Sequence, residues 1–216
     1  VSVTPDKGFC LSMRGVAREL AHQYGVAFRD PGIELVELPA PTGAEPHPCD
    51  LVDLDGCDLF TLRTIVGFDP SAPSPYWMRR RLAMSGMRPV SLAVDVTNYV
   101  MLETGQPLHA FDRAKLRGPI VVRRATDGEV LETLDHVART LDSADLLITD
   151  DRGPIGLAGT MGGLDTEIDD TSREIALEAA HFAPSAVAHM SRRHKLSSEA
   201  SRRFERGVDG VLAPYA

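Results

Sequence analysis

Apolar residues recur along this chain in two rhythms, and the places where the rhythm changes outline its elements. Between positions 11 and 24, Val16, Ala17, Leu20, Ala21 and Tyr24 share one face at helical spacing, and Gly25 offers a stop, which predicts a first helix. From Cys57 to Gly67, Leu59, Thr61, Arg63 and Ile65 recur at every second position, the period of a strand. Ser74-Pro75 predicts a helix to about Met84, with Ser74 as N-cap and Pro75 at the first helical position. Leu92, Val94 and Val96 alternate again and read as the end of a strand. A short helix capped by Asp95 or Thr97 and ended by Gly105 follows it.

Farther on come short β-type runs at Ile120 to Arg124, Val130 to Leu134, Leu146 to Thr149 and Ile155 to Ala158, with Asp127-Gly128 and Arg152-Gly153-Pro154 as turns. In Gly159-Thr160-Met161-Gly162-Gly163 the missing side chains let backbone approach a ligand or another strand, although a tight turn is the default reading. Ile175 to Ala179 is a further strand. Pro184 starts a helix to about Arg193, and Ser198 caps a last one to about Arg206. Strands and helices are unevenly spread, which predicts an α+β fold of mixed or antiparallel β-sheet layers with flanking helices rather than a regular βαβ repeat. Pro, Gly and acidic residues between Asp30 and Pro48 mark a loop or domain linker.

A chain of 216 residues, 43% hydrophobic and 25% charged, has material for one sizeable core of an ordinary soluble kind. No apolar run approaches the ~20 residues that span a bilayer. The first residues carry neither an initiator Met nor an apolar signal core, and read as a cut inside a longer chain. Cys10, Cys49 and Cys57 form no Cys-x-x-Cys pair and leave one over from any disulfide, which favours a reducing, cytoplasmic setting without structural zinc.

A net charge of −8 argues against wholesale wrapping of nucleic acid. Against that background Arg192, Arg193, Lys195, Arg202, Arg203 and Arg206, with only Glu199 and Glu205 among them, form a local cationic stretch suited to phosphate. Helix-surface ion pairs such as Arg202 with Glu205 or Glu199 with Arg203 are the competing explanation. Arg79-Arg80-Arg81 is read as a solvated face, with an RNA contact as its alternative.

Candidate chemistry concentrates between Arg88 and Asp112, where Arg88, Asn98 and His109 lie close in sequence and can converge on a small molecule or an RNA end. His109 is either a hydrogen-bonded structural residue or a catalytic one. Glu178 alternates with Ala176 and Ala180 on one strand face. That face is either solvated, or a pocket floor whose small neighbours leave room around a carboxylate. No Gly-x-Ser-x-Gly elbow, phosphate-binding loop or dinucleotide fingerprint occurs.

Several segments, in order, resemble one family: Arg88-Pro89, Val94-Asp95-Val96-Thr97-Asn98-Tyr99-Val100, Gly105-Gln106-Pro107-Leu108-His109-Ala110-Phe111-Asp112, Met161-Gly162-Gly163, Leu177-Glu178-Ala179 and Arg203-Phe204-Glu205-Arg206-Gly207-Val208-Asp209. They are similar to the central editing module of the β subunit of bacterial phenylalanyl-tRNA synthetase. The likeness is dense from about Pro75 to Asp209 and weaker before it. It implies a helical lead-in belonging to the preceding module over residues 1–40 and an editing domain over residues 41–212.

The resemblance further implies hydrolysis of tyrosine wrongly esterified to tRNA(Phe), while an α subunit activates phenylalanine with ATP and magnesium bound outside these residues. A non-catalytic tRNA- or partner-binding module is the alternative. The full enzyme is expected to be a cytoplasmic α2β2 heterotetramer, with no membrane partner and no metal or cofactor in this part. Carried over by position, His109, Arg88 and Ser198 fall near the reacting ester. Glu178, Gly162 and Ala200 fall around the tyrosine side chain, and Arg192, Arg193, Lys195 and Arg202 are expected tRNA contacts. Ser198 departs from the family, where Thr is frequent. A pocket for phenylalanine cannot strongly reject an analogue that merely adds a hydroxyl, so a second site must demand that hydroxyl. A partly buried carboxylate would do so through a charge-assisted hydrogen bond of ~1.5–3 kcal/mol.

Overall fold

The computed structural model describes residues 2–30 and 44–216, so most of the expected linker and the expected boundary at position 40 lie outside the described residues. In chain order its elements are α1 (Met13–Tyr24), β1 (Cys49–Leu51), β2 (Cys57–Val66), α2 (Tyr76–Met84), α3 (Leu92–Thr104), β3 (Leu108–Asp112), β4 (Ile120–Arg124), β5 (Val130–Glu132), β6 (Ala138–Thr140), β7 (Leu146–Asp150), β8 (Gly153–Leu157), β9 (Met161–Gly162), β10 (Glu174–Phe182), α4 (Pro184–Arg193) and α5 (Glu199–Phe204).

The strands make a mixed sheet in the order β1-β4-β7-β8-β9, parallel only between β1 and β4, together with an antiparallel sheet β2-β10-β3 and the hairpin β5-β6. The expected α+β architecture is borne out. Phe60, Phe111, Ala176, Ala180 and Phe182 from the three-stranded sheet pack with Ile120, Val122, Leu147, Ile155 and Leu157 from the larger one, and Val187, Met190 and Phe204 of α4 and α5 complete the core. Burying such side chains contributes roughly 1.5–3 kcal/mol each, and this sets the two sheets at the spacing on which the site depends.

The segment beginning at Leu92 corrects the sequence reading. Leu92, Val94 and Val96 do not end a strand; the helix already starts at Leu92, with Ser91 as its extended N-cap residue, and runs to Thr104 before Gly105 turns left-handed at φ 93°. Neither Asp95 nor Thr97 caps it. Asp95 lies in the first turn, 1% exposed, where it accepts hydrogen bonds from the Val90 N–H and the Ser74 hydroxyl. Ser74 is thereby engaged elsewhere, and Pro75 stands at the N-cap of α2. Leu92, Ala93 and Val96 line an apolar cleft with Ile175 and Leu177 of β10. Packing has overridden the strand preference of the valines.

The expected helix over residues 11–24 forms as α1. The Ser12 hydroxyl accepts from the Gly15 N–H at 3.0 Å, and Gly25 closes the helix at φ 62°. Its anchor is polar. Arg14, 4% exposed, pairs with Asp30 at 2.6 Å and Asp209 at 3.1 Å, and Arg203 of α5 donates to the Leu11 carbonyl at 2.9 Å. Leu20 and Tyr24, which share the apolar face read from the sequence, are exposed.

Candidate functional site

Strand register decides the facing of Glu178. In the three-stranded sheet Glu178 of β10 stands directly opposite Leu62 of β2 on one side and His109 of β3 on the other. Directly opposed residues of antiparallel strands point to the same face with Cβ atoms about 4.5–5.5 Å apart, so the acid and the imidazole are neighbours. That face is the inner one, because Ala176, Ala180 and Phe111 on it belong to the core. The solvated reading of Glu178 is therefore excluded: the residue is 5% exposed, and its Oε2 has no hydrogen-bond partner.

From the other sheet, β9 brings Gly162 over the His109 ring. A Cβ built on Gly162 would lie 2.5 Å from His109 Cε1 and 2.8 Å from Nε2, so the close approach requires glycine. The imidazole also stands edge-on to Phe111, ring centres 4.5 Å apart. Gln106 ties the segment entering β3 to β10: its fully buried amide donates to the carbonyls of Pro107 at 3.0 Å and Ala180 at 2.9 Å.

Two joined cavities result. A narrow recess of about 70 Å³ holds Glu178, with Ile148, Gly156, Leu157 and Phe204 among its walls. It meets a wider outer cavity of about 370 Å³ lined by Thr97 and Asn98 of α3, Leu134 and Asp135 from the β5-β6 turn, and Ser198 and Glu199. His109, Gly162 and Ala200 line both, standing at the neck. Burial pushes the Glu178 carboxyl up to about 8 and pulls the His109 imidazole down to about 4. Near pH 7 both are therefore neutral. The charged carboxylate expected from the sequence becomes a carboxylic acid, which presents a donor as well as an acceptor. His109 retains partial contact with solvent.

Ser198 caps α5 in a reciprocal arrangement, accepting from the Ser201 N–H at 2.9 Å, while its own proton goes to the Thr160 carbonyl at 2.9 Å. Its hydroxyl thus holds the cavity wall together. Ser198→Ala should cost about 1–2 kcal/mol in denaturant unfolding and Ser198→Thr much less, because the cap survives in the second. Equal losses in the two variants would contradict the capping role.

Among the expected site residues, the structure brings His109, Gly162, Glu178, Ser198 and Ala200 together. Arg88 stands apart: it is exposed in the turn between α2 and α3 and lines neither cavity. Of the expected tRNA contacts, Arg193 is held by Asp142 at 2.7 Å and Asp145 at 2.6 Å, and Arg202 by Glu199 at 3.2 Å. Arg203 also pairs with Glu199, at 2.9 Å. The expected Glu199–Arg203 pair forms, Arg202 pairs with Glu199 and not with Glu205, and Arg193 is held from the Asp142–Asp145 loop, while Arg192 and Lys195 are exposed. Leu134 and Asp135 at the mouth were missed, since only the β5-β6 fold-back and the hydrogen bond from Leu134 N–H to the Gly162 carbonyl, 3.0 Å, bring them there.

A buried acid stands opposite an imidazole at the inner end of two joined cavities, in an α+β domain. A family model described as the B3/4 domain matches residues 56–216, and the chain belongs to that family. Its relatives include the phenylalanine–tRNA ligase beta subunit of Streptomyces avermitilis, 60% identical over 219 residues, covering 100% of this chain and 26% of that protein. The corresponding subunits of Thermobifida fusca and Corynebacterium glutamicum are 60% and 54% identical over 97% and 100% of this chain, and 25% and 26% of their own lengths. The chain thus spans about a quarter of the length of the curated relatives it matches.

Proposed function

We propose that this chain is the editing part of a phenylalanine–tRNA ligase β subunit and hydrolyses tyrosine wrongly esterified to tRNA(Phe). The observation that carries the reading is the unpartnered Oε2 of Glu178 in a recess whose walls are mostly apolar. A tyrosine ring entering it would give that oxygen a phenolic partner; a phenylalanine ring would bury it unpaired, at a cost of ~1–3 kcal/mol. Ala200 and Gly162 keep the neck narrow. The ester and terminal ribose then fall in the outer cavity, beside His109, Asn98 and Ser198.

No covalent nucleophile is needed, because an aminoacyl ester is already reactive and a held water is enough. His109, uncharged near neutrality, serves to orient that water through a ring nitrogen. Arg88 has no part in this geometry. Its relatives' names speak of a tRNA ligase and a beta subunit, which supports a longer protein that binds tRNA and pairs with an α subunit; use of ATP and magnesium outside these residues and work in the cytoplasm are further parts of the proposal. Among the described residues no helix is long and apolar enough to cross a membrane.

Glu178→Ala should slow deacylation of tyrosyl-tRNA(Phe) about tenfold or more, measured with the longer β subunit and its α partner, as expected for losing ~1.4 kcal/mol or more. Undiminished deacylation by the variant would remove Glu178 from recognition. If the unaltered protein binds the mischarged tRNA and leaves its ester intact, the domain is a binding module.

A further inference from the structure

The arginine run in α2 is not absorbed by the pocket. Met78 and Leu82 bury one side of α2, and the opposite side carries Tyr76, Arg79, Arg80 and Ala83, spaced as a single helical stripe. Tyr76 and Met84 are 73% and 76% exposed, and with Arg79, Arg80, Ala83 and Pro89 they line a shallow groove of about 530 Å³. Among the described residues neither Arg79 nor Arg80 has an ion-pair or hydrogen-bond partner for its side chain. Most other arginines of this chain do have one: Arg14, Arg113, Arg123, Arg124, Arg139 and Arg152 all meet carboxylates. In a chain of net −8, two unneutralised guanidinium groups beside an exposed aromatic ring stand out.

The adjoining surface extends the pattern. Arg81 lies over Trp77 at 5.3 Å and over Tyr99 at 5.8 Å, and Trp77, half exposed, packs edge-on against Tyr99 at 5.1 Å. Tyr99 belongs to α3, whose preceding residues Thr97 and Asn98 line the outer cavity. α3 thus meets Trp77 and Arg81 of α2 through Tyr99 and lines the outer cavity with Thr97 and Asn98.

We propose that this face of α2 binds single-stranded RNA, with Arg79 and Arg80 on backbone phosphates and Tyr76 stacked on a base. Charge complementarity selects a polyanion, because no acidic residue lines the groove. The exposed ring selects RNA over an acidic peptide, since unstacked bases present flat faces that a peptide of Asp and Glu lacks. An RNA 3′ end lying in the outer cavity would reach this stripe by crossing α3. That direction of travel rests on the function proposed above; the binding itself does not.

The test is fluorescence anisotropy of a labelled single-stranded RNA ending in CCA, titrated with the full 216-residue chain across a salt series. Arg79→Ala/Arg80→Ala should weaken binding about tenfold at low salt and flatten the salt slope by about 1–2. Tyr76→Ala should weaken it about fivefold or more and leave the slope unchanged, because stacking releases no counterions. Thermal midpoints should stay at the unaltered value, since these side chains leave Met78 and Leu82 in place. Glu178→Ala should bind this RNA normally, and Arg79→Ala/Arg80→Ala should hydrolyse saturating tyrosyl-tRNA normally, so failure of the pocket reading and failure of this one give different results. The proposal is overturned if the unaltered chain does not bind the RNA at low salt, if the arginine variant binds with the same affinity and slope, or if an acidic peptide displaces the RNA.

Discussion

Glu178→Gln should make the protein more resistant to denaturant at pH 8 than the unaltered chain, by about 3 kcal/mol relative to their difference at pH 5. The sign follows from two buried groups with opposite shifts. Glu178 has its folded value raised from 4.5 to about 8. Between those values the unfolded chain has released a proton that the folded one retains, so stability falls as pH rises through that window. His109 has its folded value lowered from 6.5 to about 4. Between those values the unfolded chain holds a proton that the folded one refuses, so stability falls as pH drops.

From pH 4.5 to 6.5 the two slopes oppose each other, and their joint contribution is nearly flat. Above 6.5 only Glu178 acts, and the unaltered protein should lose stability up to about pH 8. The glutamine keeps the shape, a donor and an acceptor, but cannot ionise. Its stability should therefore climb from about pH 4 to 6.5 through His109 alone, then level off. Urea midpoints for both proteins across this range read the difference directly. Parallel curves would mean that Glu178 is not held as a neutral acid, and the account of tyrosine recognition by a carboxylic acid would go with it.

The residues that this experiment addresses show where sequence information was local and where it was not. Gly25, Gly105 and Ser198 could be assigned in advance because a left-handed turn or an N-cap depends on a residue and its nearest neighbours. Leu92 to Val96 could not. A short apolar run fits strand and helix equally, and the choice came from Ser74 and Val90 satisfying Asp95 and from the outer face of β10 receiving Leu92 and Val96. Glu178 was legible as lying on the face of Ala176 and Ala180, but which face met the core is a property of the sheet pair.

Charge was the least legible feature. Arg193 and Arg203 look alike along the chain, yet Arg193 finds Asp142 and Asp145 from a distant loop, while Arg203 turns toward Glu199 and the Leu11 carbonyl. Arg88 entered the expected site through its nearness in sequence to Asn98 and His109 as well as through the family resemblance, and it lines neither cavity. The resemblance brought His109, Gly162, Glu178, Ser198 and Ala200 to one place because those positions sit on strands or at a capped helix start, where register leaves little freedom.

Gly162→Ala should cost about 1–3 kcal/mol of stability and slow hydrolysis of tyrosyl-tRNA(Phe) by about tenfold or more. The clash is steric and not conformational, because the backbone of Gly162 is not left-handed; the added methyl would sit 2.5 Å from His109 Cε1 and 3.3 Å from Leu134 Cδ1. Phe111 closes the ring in from a further side, so His109 can move only by giving up the position opposite Glu178. If that is the source of both losses, they should depend on the imidazole being present. In a His109→Ala background the Gly162→Ala change should cost little further stability and little further rate, a coupling of about 1–3 kcal/mol between the two positions. Additive losses in the double variant would show that Gly162 matters for the β8-β9 turn and not for seating His109, and the neck between the two cavities would lose its assigned role.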